Sequence, residues 1–499
     1  MSPKNVSTSD DDNLRLRQLG YEPQLARRMG VFGNFAVSFS VISILTGILG
    51  QFGFGMTTGG PAVMMWGWIA VGGMVMFVGA GLAEVTSAYP TSGALYYMAH
   101  QLGGRKAGWY TGWLNLLGLV GAIAGIDYGA SQFVGALLHL RFGFTPTPAS
   151  IMVIFVIIAL LHAFLNSFGV RLVSLLNGVS VWWHLGGVAV IAAALAFIPS
   201  HHQPVSAVFG SFVNQTGWSN PIYVTLVGLL LAQYTFSGYD ASAHLSEETT
   251  HAPVSAARGI VRSIWVSWIA GAVLLAAVLW GIQNYNAEVN TATGQPVAQI
   301  FIDAIGSGGA TALLVVVVVA QLFCGNAAVA AASRMIFAFS RDGALPGSRQ
   351  WRKVSASGTP VPAVWLAVGI ALVLVVPSLF SSVAYGAVTS INVIGITPAY
   401  GLPILLRLRA GRRFARGPWH LGRWSVVVDV IAVVWVAFVT VLFCLPQRNP
   451  VNVASFNYAP IALAIVLALA TIWWFMARRS YSTPEAVGAE KTALEDQVV

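Results

Sequence analysis

Asp240, Asp127, Glu84, His184 and His244 stand within or at the ends of stretches that are otherwise apolar, and their chemistry asks for a reason there. A carboxylate near the centre of a bilayer costs about 3 kcal/mol on insertion scales, so an intramembrane acid is read as functional. Asp240 follows Phe236-Ser237-Gly238-Tyr239 directly. It can receive a substrate ammonium, or gain and lose a proton as a gate moves; the alternative is a carboxylate capping a following helix, worth about 1 kcal/mol. His244 lies one helical turn further along the same face, and Glu247 and Glu248 follow as gate or surface residues. Asp127 points either into a cavity or to a neighbouring helix. Glu84 reads as an interfacial or inner-gate residue beside Tyr89-Pro90. Histidine as a residue type titrates near neutrality, which would suit His184 to load and unload a proton each cycle, although a satisfied packing histidine is the commoner case. No His/Cys/Asp/Glu cluster has zinc-ligand spacing. No Ser-His-Asp arrangement, phosphate-cradling loop or redox motif is present, so the sequence predicts neither an enzyme nor a bound cofactor or metal.

The elements that must hold these residues are long apolar helices. The chain of 499 residues is 56% hydrophobic and only 9% charged, with a mean hydropathy of +0.73. About 20 apolar residues span a bilayer as a helix, and lipid offers no partner to an unpaired backbone. Twelve spans are predicted, near 31–57, 62–84, 107–137, 150–169, 172–198, 221–244, 260–282, 308–338, 361–380, 383–406, 425–445 and 458–477. The first span is too long for a signal-peptide core, so no cleavage is expected. Gly103-Gly104-Arg105-Lys106 reads as a turn. Cys324 and Cys444 lie within apolar spans as small core residues.

The formal net charge of +9 does not point to nucleic acid, because of where the charges fall. With both termini cytoplasmic, 24 of the 26 Lys and Arg lie inside, leaving Arg141 and Arg448 outside. That is the positive-inside pattern of a multi-pass cell-membrane protein, and one helix more or fewer would scramble it. The basic run 407–423 is then a loop against anionic headgroups. The tails, 1–30 and 478–499, read as disordered.

Two spans are interrupted by small and polar residues. The first carries Ser38, Ser40, Ser43, Thr46, Gly47, Gly50, Gln51, Gly53 and Gly55; the sixth carries Gln233, Tyr234, Thr235, Phe236, Ser237, Gly238, Tyr239 and Asp240. Glycine costs about 1 kcal/mol against alanine in a helix interior, so such clusters invite unwinding. Unwound backbone at membrane depth persists only where it lines a cavity. The interruptions are five spans apart, which points to two inverted repeats of five helices with a site between their broken first helices. Half-helices offer N–H groups to an anion and C=O groups to a cation, and an amino acid zwitterion needs both. The plainer alternative is close helix packing.

Several strings resemble the amino acid–polyamine–organocation superfamily, especially its amino acid/choline branch, which includes GABA and choline permeases. Glu84 to Tyr97, Asn166 to Arg171, Ser333 to Pro346 and, most specifically, Phe236 to Thr249 are similar to that superfamily's motifs, in the same order. The resemblance covers about residues 20 to 475. It implies an all-α membrane protein: a leucine-transporter-like 5+5 inverted repeat plus two C-terminal helices. The divisions are a tail 1–30, a transport core 31–406 (repeats 31–198 and 221–406), a basic loop 407–424, helices 425–477 and a tail 478–499. It also implies secondary transport by alternating access. A substrate carboxylate would meet backbone amides around Thr46, Gly47 and Ile48. Phe236, Ser237 and Gly238 would line the opposite side, with Tyr234 as an aromatic gate and Asp240 matching a functional glutamate. Leu45-Thr46-Gly47-Ile48 stands where many relatives read Gly-Ser-Gly-Ile. His184, fifteen residues after Gly169, has the spacing of a lysine that replaces sodium in proton-coupled relatives. The expectation is a proton-coupled permease in the lipid bilayer, with GABA or a similar amino acid favoured over choline and sodium as the alternative ion. A channel, a membrane enzyme and a transporter-fold nutrient sensor are the competing classes.

Overall fold

The computed structural model describes residues 8–291, 293–380, 384–453, 455–484 and 486. Among these the regular structure is helical, apart from isolated bridges joining Met29 to Thr249 and Thr58 to Asn214. Helix α1 is Thr8–Gln18. The first span is three pieces, α2 (Val31–Ile42), α3 (Ile44–Gly50) and α4 (Phe52–Thr57), followed by α5 (Gly60–Ala88), α6 (Ala94–Phe142), α7 (Pro148–Ser167), α8 (Val170–Phe197) and the short α9 (Val205–Gly210). The second set opens with α10 (Pro221–Gly228), α11 (Leu230–Thr235) and α12 (Ala241–His244), then α13 (Ala252–Trp280), α14 (Tyr285–Val289), α15 (Pro296–Arg341), α16 (Ser348–Trp351), α17 (Val361–Val375) and α18 (Ala384–Ala410). Helices α19 (Ser425–Leu442) and α20 (Ala459–Ala477) close the bundle.

Eleven helices among the described residues are long and apolar enough to cross a membrane, and Pro221–Thr235 is a shorter apolar helix. The predicted sixth span, 221–244, is therefore not one rod. Its backbone leaves the helix at Phe236 (φ −80, ψ 50) and passes through Gly238 at φ +83. A side chain on Gly238 would be strained by that φ, and its Cβ would lie 2.1 Å from Val41 Cγ1. The first span breaks differently: Ser43 alone adopts a left-handed conformation, φ 34 and ψ 84, which is uncommon for a non-glycine residue.

The predicted spans 107–137 and 308–338 each begin just after a non-helical glycine that parts them from a preceding helix. Helix α6 bends at Gly104 (φ 76, ψ −176) and α15 at Gly306 (φ 74, ψ 169). The expected turn at 103–106 is thus where the chain leaves one helix and enters the next, at the non-helical Gly104. Proline in the first turn of α5, α7, α13 and α15 fits their starts, where the missing N–H has no helical partner to lose.

Packing places the functional helices in the middle. Helix α6 lies along α18 and α15, α5 along α13, and α3 against α11 and α8. Helix α20 is peripheral: only 11% of its most apolar window is buried. Large hydrophobics such as Trp182, Val373, Phe380 and Ile472 are exposed, a surface that water would penalise and hydrocarbon accepts.

Below the two interruptions, α2 and α12 are joined by a row of polar bonds. Asn34 Nδ2 donates to the Ser242 carbonyl and to Thr249 Oγ1, both at 2.9 Å. Ser38 Oγ donates to the Tyr239 carbonyl at 2.6 Å and accepts from the Ser242 amide at 2.8 Å. At about 1 kcal/mol net per bond, this row makes the lower halves of the two broken helices a single unit.

Candidate functional site

The two interruptions face each other. A Cβ on Gly47 would lie 2.5 Å from Thr235 Oγ1 and 2.8 Å from Thr235 Cβ, closer than side chains approach in packed interiors. Beside this contact is a narrow cavity of about 10 Å³, room for about one water, lined from α2 and α3 by Val41, Ile42, Thr46 and Gly47. From α6 come Ala122 and Ile126, from the second break Tyr234, Thr235 and Ser237, and from α15 and α18 Cys324 and Asn392. Thr46, Gly47, Tyr234 and Ser237 of the predicted site meet here. Ser237 Oγ donates to the Tyr234 carbonyl at 2.7 Å and to Asn392 Oδ1 at 3.2 Å. The Tyr234 hydroxyl is buried with no partner among the described residues, a donor left for something that enters the cavity.

Other predicted residues lie elsewhere. Ile48 is fully buried and does not line the cavity, and Phe236 stacks on Trp68 with ring centroids 4.3 Å apart. The amides of Thr46 and Gly47 both donate to the Ser43 carbonyl, at 2.9 Å. The reason is local: a single left-handed residue breaks the first span, so helical bonding resumes at once. At the second break the main chain opens more widely, and among the described residues no group donates to the carbonyls of Thr235 and Phe236. The second break thus has unengaged carbonyls, whereas the amides of the first are already engaged.

Asp240 is fully buried but does not line the cavity. It occupies the position before α12 without capping it. Its carboxylate instead accepts from Tyr400 Oη at 2.8 Å and Asn115 Nδ2 at 3.2 Å, and meets His244 Nε2 at 3.1 Å. Tyr400 Oη also accepts from the Gly238 amide at 2.8 Å. Asp240 therefore holds the turn of the second break against α18 and α6, at one remove from the cavity. Gly238 belongs to the same device.

His184 on α8 reaches the cavity through hydroxyls. Its Nδ1 lies 2.8 Å from the Ser180 carbonyl, which can only accept, so Nδ1 carries a proton. Its Nε2 lies 2.7 Å from Ser43 Oγ, and Ser43 Oγ lies 2.6 Å from Thr46 Oγ1, on the cavity wall. The residue that breaks the first helix is thus the residue the imidazole touches.

Asp127 is buried against α7, not in the cavity. Its Oδ2 lies 3.1 Å from His162 Nδ1, and its Oδ1 has no partner among the described residues. His162 was not singled out from sequence; a histidine in an apolar span within reach of an intramembrane acid was the available signal. Glu84 is fully buried among Arg407 (3.3 Å), Ser425 (2.9 Å) and the more distant Arg416, while Arg407 also binds Asp429 at 2.8 Å. This polar cluster ties α5 to α18 and α19 rather than facing the broken helices.

Glu247 and Glu248, expected as gate or surface residues, are both buried in ion pairs. Arg334 Nε donates to Glu248 at 2.7 Å, and Arg341 makes two bonds to Glu247, at 2.8 and 3.0 Å. Burial pushes the Glu247 carboxyl up, but Arg341 and the Ser92 amide outweigh it and leave it below the usual range. Helix α1 and the segment after it close over this end: Arg27 donates to the carbonyls of Ser246 and Thr249, and Asp12 accepts from the amides of His251 and Ala252.

A bundle of apolar helices in which two broken helices meet at a small buried cavity defines a membrane carrier of small solutes. The chain belongs to the amino acid permease family, whose model matches residues 29–468, within the amino acid–polyamine–organocation superfamily. It is 37% identical to the amino-acid permease BAT1 of Arabidopsis thaliana, over 96% of this chain and 97% of that one. It is 38% identical to the BAT1 homolog of Oryza sativa, over 95% of each chain. It is 29% identical to amino-acid permease 2 of Neurospora crassa, over 97% of this chain and 90% of that one.

Proposed function

We propose that this permease takes up small amino acids, GABA-like ω-amino acids among them, together with protons, by alternating access across the cell membrane with both termini in the cytoplasm. In this reading the core 31–406 carries the substrate, with 31–198 and 221–406 as its inverted halves, and 425–477 buttresses it. The protein is a carrier rather than an enzyme.

The observation that carries the reading is the chain His184–Ser43–Thr46, with links of 2.7 and 2.6 Å, ending on the cavity wall. With neutral His184, Nε2 accepts from the Ser43 hydroxyl, Ser43 accepts from Thr46, and Thr46 offers the cavity only lone pairs. When His184 is protonated, Nε2–H donates, both hydroxyls reverse, and the Thr46 hydroxyl turns a donor toward the cavity. A substrate carboxylate is favoured only in the second arrangement, so proton and substrate bind together. The substrate ammonium meets the carbonyl of Thr235, with Tyr234 and Ser237 alongside.

A choline or polyamine permease is a second reading, favoured by one observation: the amides of Thr46 and Gly47 are engaged, whereas the carbonyls of the second break are not. Proteoliposomes separate the two. An inward proton gradient should drive accumulation of radiolabelled GABA or another amino acid, and unlabelled amino acids should compete better than choline or putrescine. Uptake driven only by sodium removes the coupling assignment, and uptake of choline without competition by amino acids removes the substrate assignment.

A further inference from the structure

Where the bend of α6 at Gly104 meets the end of α20, a cleft of about 770 Å³ is lined by four cations, Arg105, Lys106, Arg478 and Arg479, and, among the described residues, by no carboxylate. We propose that this cleft binds the phosphate headgroup of an anionic phospholipid. Three observations support it. All four cations are exposed, and among the described residues Lys106 and Arg479 have no ion-pair or hydrogen-bond partner. A group of like charges is held together here by structure: Arg105 donates to the carbonyls of Arg478 and Tyr481, and its guanidinium lies 5.8 Å from the Trp474 ring centre. The cleft also lies at one end of α20, a helix long and apolar enough to cross a membrane. It begins at the last turn of a helix whose apolar face is exposed at Ile472, Phe475 and Met476, so a lipid whose phosphate enters the cleft can lay its chains along α20. The floor is polar, with Tyr110 Oη 3.0 Å from Thr471 Oγ1, and Trp474 supplies the amphipathic ring that prefers the interface. Basic pockets between membrane helices recognise anionic headgroups through this combination of charge and position. The inference does not depend on which solute is carried.

The test is native mass spectrometry of the full chain in detergent with phosphatidylglycerol or phosphatidylcholine of matched chains. Phosphatidylglycerol should stay bound and phosphatidylcholine should not. The variant K106Q/R478Q/R479Q should weaken that binding on the order of 100-fold, at about fivefold per charge, while K106R/R478K/R479K should retain it. R412Q/R413Q/R423Q removes as many exposed cations from the loop after α18 and should leave binding intact. Equal retention of the two lipids, or equal loss in the loop variant, would overturn a built site in favour of diffuse attraction. Displacement of the lipid by millimolar inorganic phosphate would overturn the lipid in favour of a soluble anion.

Discussion

Gly47 and Thr235 are the contact between the two broken helices: a Cβ at Gly47 would sit 2.5 Å from Thr235 Oγ1, where only a hydrogen fits. Gly47→Ala should therefore push α3 from α11, at an overpacking cost of about 1–3 kcal/mol, and deform the cavity wall between them. Uptake should fall at least about fivefold at the lower end of that cost, and Thr235→Ala in the same chain should recover part of it by removing Oγ1 and Cγ2. Normal uptake by the single variant would mean the helices separate during the cycle without needing this contact.

The hydroxyl chain from His184 makes a sharper claim than loss of activity. Ser43→Ala removes the link and leaves the imidazole in place. Proton-driven accumulation should drop on the order of tenfold, the worth of one charge-assisted bond, while exchange of internal for external substrate is less affected. His184→Ala should behave the same way. Equal loss of accumulation and exchange in both variants would reduce His184 to a packing group.

Asp240→Asn keeps the size of the side chain but not its charge. The bonds from Tyr400 and Asn115 to the carboxylate weaken by about half when the acceptor is neutral. Transport should be lost while the protein still folds and expresses. Tyr400→Phe should reproduce much of the defect, because Tyr400 also holds the Gly238 amide. Retained transport in both variants would show that the turn does not need this anchor.

The buried pair Glu248–Arg334 predicts non-additivity. Glu248→Gln leaves a guanidinium without its partner in a site with no exposure, which costs about 3–5 kcal/mol. The double variant E248Q/R334M should melt much closer to the wild type than E248Q alone. Additive losses in thermal melts would contradict a tightly coupled pair.

Asp342, just beyond the end of α15, gives a pH dependence. Burial pushes its carboxyl up to about 6, against the pull of Arg341 and of the Tyr21, Thr483 and Tyr96 hydroxyls. Unfolded, it ionises near 4, so between about pH 4 and 6 the folded state holds the extra proton and stability falls as pH rises. Above about 6 the loss is complete. Asp342→Asn should flatten the decline of melting temperature across that window; an unchanged slope would assign the decline to other groups.

The apolar periods located the spans to within a few residues, because hydrocarbon imposes length and composition directly on each segment. Clusters of glycine and serine located both interruptions for a similar local reason. What each polar residue touches was not legible. Asp127 turned to His162 and Glu84 to Arg407, partners 35 and 323 positions away along the chain. Two partners of Asp240, Tyr400 and Asn115, lie on helices whose polar residues sequence reasoning passed over. Phe236 sits in the middle of the most specific motif yet packs on Trp68.

The sequence by itself determined that this chain is a bundle of membrane helices with two weak points five spans apart, since backbone propensity and hydrophobicity act locally. Only the tertiary structure decided that Ser43 is the residue that breaks the first helix, that His184 touches it, and that Asp240 stands behind the cavity instead of in it. A buried polar group takes the partner that packing brings within about 3 Å, and that distance is set by how several helices lie together, which no single segment encodes.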